Sequence, residues 1–358
     1  MKGPILHIVR RYGPVGGMES YVWHLTSALA IRGHAVIVIC EQLLCSPVAN
    51  VEIVKVDQAQ ERHRWKSMLF FREAVERCLR ERFSGLNIIV HSHERSLSHH
   101  VTTFHGPPMQ VSNFERYIWR SRRVSIWQQM ESAELFGPNV KMILPVSNQV
   151  KEKLVIEHPK IREKEIKVAW PGVEVPHDNR PAGSSRSNKE IRLLFVGREW
   201  KRKGLDFAVK IVDKFRRSNE FVTLFVKGPE AKDIPFHMRR KKWMVIEGWQ
   251  KEIDWESYDL LIHPARNEPF GMVVVEARAH GLPVVMSTNV GASEVVSNNI
   301  WCIPLDAPVE KWIEALDKAT KIERRSGEVG WSWDNVIKFH IEEVYEQLNK
   351  LIYGGAEM

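Results

Sequence analysis

The chain has 358 residues, 44% of them hydrophobic and 27% charged, with a formal net charge of +8. That length and apolar content suit two α/β domains with buried cores. Composition excludes two classes. Cys40, Cys45, Cys78 and Cys302 lack zinc-site spacing and read as buried free thiols, and no apolar run reaches the roughly 18 residues of a membrane span. The basic balance suits an anionic partner: a nucleotide diphosphate, a phosphorylated glycan, an acidic lipid or a nucleic acid. Charge alone does not choose among them. The opening residues are too short for a signal peptide, and a reducing cytoplasm is the expected compartment.

Residues 5–9 read as a first strand. Residues 16–32 follow with helical spacing through Tyr21, Val22, Leu25, Leu29 and Ala30, closed by Gly33. Residues 35–40 are the next strand, and this βαβ unit predicts a parallel sheet. A helix near 67–82 and strands at 87–91, 101–104 and 141–146 continue the pattern. Residues 175–188 are polar and rich in breakers, a linker or exposed loop. A second α/β series begins at 191–196, with strands at 223–226, 244–247, 260–263 and 283–287. The last helix, about 333–353, is amphipathic, with Val336, Phe339, Val344, Leu348 and Leu351 near one face. The expected division is 1–174, 175–332, and a C-terminal helix and tail at 333–358.

The most informative segment is Asn267-Glu268-Pro269-Phe270-Gly271-Met272-Val273-Val274-Val275-Glu276. A buried parallel strand precedes it, ending at Pro264. Gly271 lets the chain turn into a helix that Gly281 and Pro283 stop. The amides of Gly271, Met272 and Val273 are then free donors for a phosphate. Glu276, one turn further in, reaches toward a ribose. Glu268, before the turn, faces whatever the phosphate carries. A diphosphate between two carboxylates points to a nucleotide-sugar. An ordinary βα unit with a charged loop is the plainer reading of the same residues.

This segment resembles the E-x7-E motif of retaining glycosyltransferases of family 4: Glu268, Phe270, Gly271 and the pair Glu276-Ala277 fit its pattern. Arg10-Arg11-Tyr12-Gly13-Pro14-Val15-Gly16-Gly17, after the first strand, is similar to the family's Gly-Gly loop. Gly197-Arg198-Glu199-Trp200-Lys201-Arg202-Lys203-Gly204, after the first strand of the second half, is similar to its G-R-x(n)-K-G motif. The resemblance covers nearly the whole chain, strongly over 191–296. It implies the GT-B fold, with two Rossmann-like domains facing a central cleft and a final helix crossing back onto the first domain.

The resemblance also assigns roles. Gly16 and Gly17 meet the donor diphosphate, although a Gly-rich turn can be merely a tight connection. Glu19 is well placed against the helix dipole and receives no chemical role. Arg198 and Lys203 bind the phosphates and stabilise the departing diphosphate, with no metal or cofactor expected. Lys201 and Arg202 read as solvated. His105 matches the family's active-site histidine and holds sugar hydroxyls; by itself, a strand-end histidine is more often a cap or a surface residue. Glu268 holds sugar hydroxyls and Glu276 the ribose. Ser147 resembles the family's V-S segment and is equally readable as a helix N-cap. Trp170-Pro171-Gly172-Val173 marks the domain junction, lacking the family's asparagine. Gly248 and Trp249 are weaker candidates for base or sugar contacts.

Residues 111–135 mix arginines with aromatics: Arg116, Tyr117, Trp119, Arg120, Arg122, Arg123, Ile126 and Trp127. They read either as a peripheral contact with an anionic membrane or as a solvated basic face with core tryptophans. The expected activity is retaining transfer of a hexose-type sugar from a nucleotide-sugar, by family habit a UDP-sugar. The expected acceptor is a glycan or glycolipid, such as lipopolysaccharide core, and no nucleic acid is expected. A sugar-nucleotide epimerase or phosphorylase on a similar fold, and a non-catalytic polyanion- or membrane-binding protein, stay open as alternatives. A dinucleotide oxidoreductase does not fit, because no clear G-x-G-x-x-G follows either opening strand.

Overall fold

The computed structural model describes residues 3–58, 61, 63–109, 122–174, 190–322, 324 and 330–354. They separate into two compact units, Met1–Gly172 with Trp333–Met358 and Val173–Ser332. The breaker-rich stretch 175–188 lies outside the described residues.

The first unit contains β1 (Ile5–Ile8), β2 (Arg11–Tyr12), β3 (Val36–Cys40), β4 (Gln42–Leu43), β5 (Val51–Lys55), β6 (Ile89–Ser92), β7 (Val101–Phe104), β8 (Met142–Pro145) and β9 (Glu165–Ile166). Seven of them form one sheet in the order β5-β3-β1-β6-β7-β8-β9, while β2 and β4 pair separately. Every pairing is parallel. β1, β3, β6, β7 and β8 are buried along their whole length, as expected when helices cover both faces of a parallel sheet. Leu6, Ile8, Ile37, Phe71 and Val75 centre one core, on the side of the helix Arg64–Arg82.

The second unit contains β10 (Ile191–Val196), β11 (Val222–Lys227), β12 (Met244–Gly248), β13 (Leu260–His263), β14 (Val284–Ser287) and β15 (Ile300–Ile303), all parallel in the order β12-β11-β10-β13-β14-β15. Its core joins Leu193 and Phe195 to Leu205, Val212 and Phe215 of one helix and Trp312 and Leu316 of another. Both units are thus doubly wound, the two Rossmann-like halves of the expected α/β fold. In each sheet the strand order reverses once, between β1 and β6 and between β10 and β13. Ligands of such sheets bind at the carboxyl ends of the strands flanking that reversal.

The final helix differs from expectation. It runs as α-helix over Trp333–Phe339, π-helix over His340–Tyr345 and α-helix again over Glu346–Tyr353. It packs on the first unit, where the Tyr353 hydroxyl donates to the Ile88 carbonyl at 2.7 Å. Val336, Val344 and Leu348 are buried as predicted, but Leu351 is 61% exposed. The wider π turn changes the phase of the helix, so Tyr345 takes a buried place that a regular 3.6-residue period does not assign, beside the buried His340, which lies one turn after Val336. The four cysteines are free, with Cys40 and Cys78 buried; Cys302 is exposed, contrary to the reading of all four as buried.

Candidate functional site: two switch-point clusters

In the second unit the loops after β10 and β13 carry the predicted donor residues. Lys203 Nζ lies 2.9 Å from Glu268 Oε2, and Arg202 Nη1 lies 3.1 Å from the same oxygen. Arg202 also donates to the Asn267 carbonyl at 2.6 Å and to Glu199 at 2.7 Å. Arg202 is therefore not the solvated side chain expected from the sequence. Its guanidinium reaches two acceptors on the far loop, which local composition cannot reveal. His263, the last residue of β13, is fully buried with Nε2 3.6 Å from Glu268 Oε2. It was not singled out from the sequence, although its place at the strand end just before the glutamate was visible there.

The loop is tightly built around Glu268. Its amide donates to the Asn289 carbonyl at 3.0 Å, and its carbonyl accepts from Gly291 at 3.1 Å. Gly271 caps the following helix, Met272–Ala279, at φ 100°. A Cβ on Gly271 would press on Val290 at 3.0 Å and on Glu268 at 3.2 Å. The first amides of that helix, at Met272 and Val273, lack intrahelical acceptors by construction. Gly197, at φ 150°, lets Lys203 pass: a Cβ there would stand 2.0 Å from Lys203 Cδ. Arg198 is exposed on the same loop.

The electrostatics divide the two carboxylates. Burial alone would raise the Glu268 pKa. The contact with His263 and the charges of Lys203 and Arg202 outweigh it and hold the group well below the usual carboxylate range. Glu276 is pushed up by burial, with Lys203 pulling only partly against it. So Glu268 is a fixed anion and Glu276 a carboxylate more easily protonated, both within the field of one lysine.

Gly248 ends β12 at φ 66°, where a Cβ would meet Glu230 Oε1 at 2.9 Å. Trp249, beside it, is exposed. Both sit at the edge strand, away from the β10–β13 reversal.

In the first unit, Gly16 caps the helix Gly17–Ile31, and its missing Cβ leaves room for Glu19 Oε2, which would stand 2.4 Å away. Glu19 is buried and paired with Arg11. Gly17 faces open space. Ser147 is buried and caps the helix Asn148–Glu157, accepting from the Val150 amide at 3.2 Å.

His105 follows β7 and is half-buried. Its Nε2 lies 3.1 Å from His93 Nδ1, and its ring meets Tyr21 edge-on at 5.1 Å. His93 Nε2 lies 3.1 Å from His7 Nδ1. His7 on β1 and His91 on β6 are cross-strand neighbours in the parallel register. These histidines were not read from the sequence. The signal available was His91-Ser92-His93 beside a histidine in the first strand. Burial drives His7 and His105 to pKa values of about 3 and His340 to about 4, and lowers His91 and His93 strongly as well, so the cluster is neutral at pH 7.

Of the basic-aromatic stretch, Arg116, Tyr117, Trp119 and Arg120 lie outside the described residues, as does the side chain of Arg122. The helix Arg122–Phe136 is described, and its Trp127 is half-buried with the Arg95 guanidinium 4.9 Å from the ring centroid.

Two parallel doubly-wound units, each with polar residues gathered at the reversal of its strand order, are the architecture of the GT-B class. Residues 15–176 match the model of Glycosyltransferase Family 4, residues 190–321 match the model described as Glycosyl transferases group 1, and the chain belongs to this family. It is 25% identical over 340 residues to the phosphatidylinositol N-acetylglucosaminyltransferase GPI3 subunit of Saccharomyces cerevisiae, covering 87% of this chain and 74% of that protein. It is 24% identical over 371 residues to the glycogen synthase of Mycobacterium tuberculosis, covering 84% and 83%. Among solved structures, WaaG, a glycosyltransferase involved in lipopolysaccharide biosynthesis, superposes with a TM-score of 0.70 at 19% identity over 98% of this chain and 100% of that one. The sucrose-phosphate synthase of Thermosynechococcus elongatus gives 0.71 at 18% identity, over 98% and 100%.

Proposed function

We propose that this glycosyltransferase moves a hexose-type sugar from a nucleotide-sugar, with UDP-sugars favoured, to a glycan or glycolipid acceptor, retaining the anomeric configuration. The observation that carries this reading is the Lys203–Glu268–Arg202 cluster at the β10–β13 reversal, beside the N-terminus of the Met272–Ala279 helix. Breaking the glycosidic C–O bond builds negative charge on the departing diphosphate. Arg198, Lys203 and the Gly271, Met272 and Val273 amides stabilise it there. Glu268 orients sugar hydroxyls, Glu276 holds the ribose, His105 holds the transferred sugar, and Gly16 and Gly17 let the diphosphate approach. These cations meet the leaving-group charge without a bound metal or cofactor. The acceptor oxygen bonds to the anomeric carbon on the face the diphosphate leaves, and a phosphate oxygen takes the acceptor proton. A trapped glycosyl-enzyme adduct would overturn that route.

The acceptor we favour is lipid-linked, in lipopolysaccharide core or surface polysaccharide assembly, with the enzyme at the inner face of the cytoplasmic membrane. The yeast relative's name supports a second acceptor of the same physical kind, a phosphatidylinositol. The test is thermal stabilisation by a panel of UDP-, GDP- and ADP-sugars, on the wild type and on Glu276→Ala. Stabilisation by one donor that weakens in the variant supports the reading. No response to any donor favours the non-catalytic alternative.

A further inference from the structure

Three nitrogens converge on one oxygen of Glu268. Lys203 Nζ stands 2.9 Å from Oε2, Arg202 Nη1 3.1 Å and His263 Nε2 3.6 Å. A carboxylate oxygen offers two lone pairs. Lys203 and Arg202 lie at bonding distance and occupy both, and His263 stands just outside that range. The His263 ring is fully buried at the end of β13, and neither of its nitrogens has a hydrogen-bond partner among the described residues. A buried N–H without an acceptor costs stability, and native folds rarely keep one without a use for it.

The state of the ring follows from its surroundings. Burial lowers the His263 pKa, against the pull of Glu268, so the ring is neutral at pH 7. Its one proton belongs on Nε2, because the Glu268 anion lies on that side and Nδ1 meets no partner among the described residues. The two cations differ in their ties. Arg202 also donates to the Asn267 carbonyl at 2.6 Å and to Glu199 at 2.7 Å, which anchors it. Lys203 reaches Glu268 past the bare Cα of Gly197, where a Cβ would stand 2.0 Å from Lys203 Cδ. Lys203 is therefore the cation able to turn away.

We infer that His263 is a standby donor to Glu268: when Lys203 turns to a nucleoside diphosphate, the His263 Nε2–H takes the lone pair that the lysine vacates. A neutral donor thereby replaces a cation. Glu268 stays hydrogen-bonded and oriented, but the lysine no longer cancels its charge. The uncovered anion then faces the positive charge that builds on the sugar as the glycosidic C–O bond breaks. His263 acts through Glu268 and is a positioning residue. Its role rests on the phosphate binding proposed for Lys203 and deepens it.

The test is a long-range proton–nitrogen correlation spectrum of the full chain labelled with nitrogen-15 histidine, with the His263 signal assigned by its loss in His263→Gln. In the wild type at pH 7 we expect a neutral Nε2–H ring. In Lys203→Met, without any ligand, the Nε2 proton should move downfield as it bonds to the carboxylate. UDP, GDP and ADP are then added in turn to the wild type, and a nucleotide that raises its melting temperature should produce the same downfield move. A wild-type ring that is Nδ1–H or protonated at pH 7 overturns the inference. So does a nucleotide that stabilises the protein and leaves the His263 proton where it was. That arm uses the unaltered chain, so poor folding of Lys203→Met does not shelter the idea. If Lys203→Met moves the proton but no nucleotide binds, the exchange of donors is supported and the nucleotide-sugar reading is the one that fails.

Discussion

Lys203 and Glu268 meet at 2.9 Å although they follow strands 64 residues of sequence apart, β10 and β13. The pairing is made by sheet order alone: β10 and β13 are hydrogen-bonded neighbours at the place where the order reverses. One lysine thus neutralises the carboxylate of one motif while belonging to another. Removing it leaves Glu268 mostly buried with Arg202 as its remaining close cation. Lys203→Ala should lower sugar-transfer kcat by about 10²–10³-fold, the usual loss when one stabiliser of a developing anion is deleted. It should also destabilise the fold by about 3 kcal/mol. Steady-state kinetics and urea denaturation of the same protein check both.

Arg202 and Lys201 are adjacent in sequence but differ in surroundings. Arg202 is tied to Glu268, Asn267 and Glu199, whereas Lys201 is exposed. Arg202→Ala should reduce donor-induced thermal stabilisation, and Lys201→Ala should leave it within error. Equal effects of the two substitutions would return Arg202 to the solvated face first expected for it.

Gly197→Ala probes backbone and site together. The alanine methyl would fall 2.0 Å from Lys203 Cδ, at a φ of 150°. The strain should cost about 1–3 kcal/mol, and the displaced lysine should weaken nucleotide-sugar binding. Calorimetric titration beside a melting curve separates the two consequences.

The neutral histidines make the protein sensitive to acid. Their folded pKa values lie far below the unfolded value of about 6.5. The unfolded chain therefore binds more protons below that pH, and stability present above it is lost as pH falls toward 4 and below. Glu94 and Glu134 act oppositely: burial raises them to about 7 and about 8. Their contribution is full below the ordinary carboxylate range and is lost as pH rises through those values. The histidines outnumber them, so unfolding free energy should fall from pH 7 to pH 5.5. Denaturant titrations across that range check the sign, and a flat or rising profile would contradict the buried neutral cluster.

The basic-aromatic stretch should give salt-sensitive binding to anionic vesicles, carried by Arg120, Arg122 and Arg123. Undiminished binding after all three charges are removed would eliminate the membrane contact. The stacking of Arg95 on Trp127 already shows one aromatic of that stretch engaged with the protein itself.

Local spacing alone identified the strand–glycine–helix around Glu268 and Glu276, because turn chemistry and helix termini are written in consecutive residues. The two doubly-wound units were legible for the same reason: buried parallel strands are continuous apolar runs, and helices alternate with them. Arg202 and His263 were not legible, since their partner Glu268 is reached only through the β10–β13 neighbourhood. Nor was the network behind His105, whose members come from β1, β6, β7, the helix Gly17–Ile31 and the C-terminal π-helix. Hydrophobic periodicity marks which face of a segment is buried. The partners and the protonation of buried groups depend on what distant segments bring to that face, and only the tertiary structure decided them.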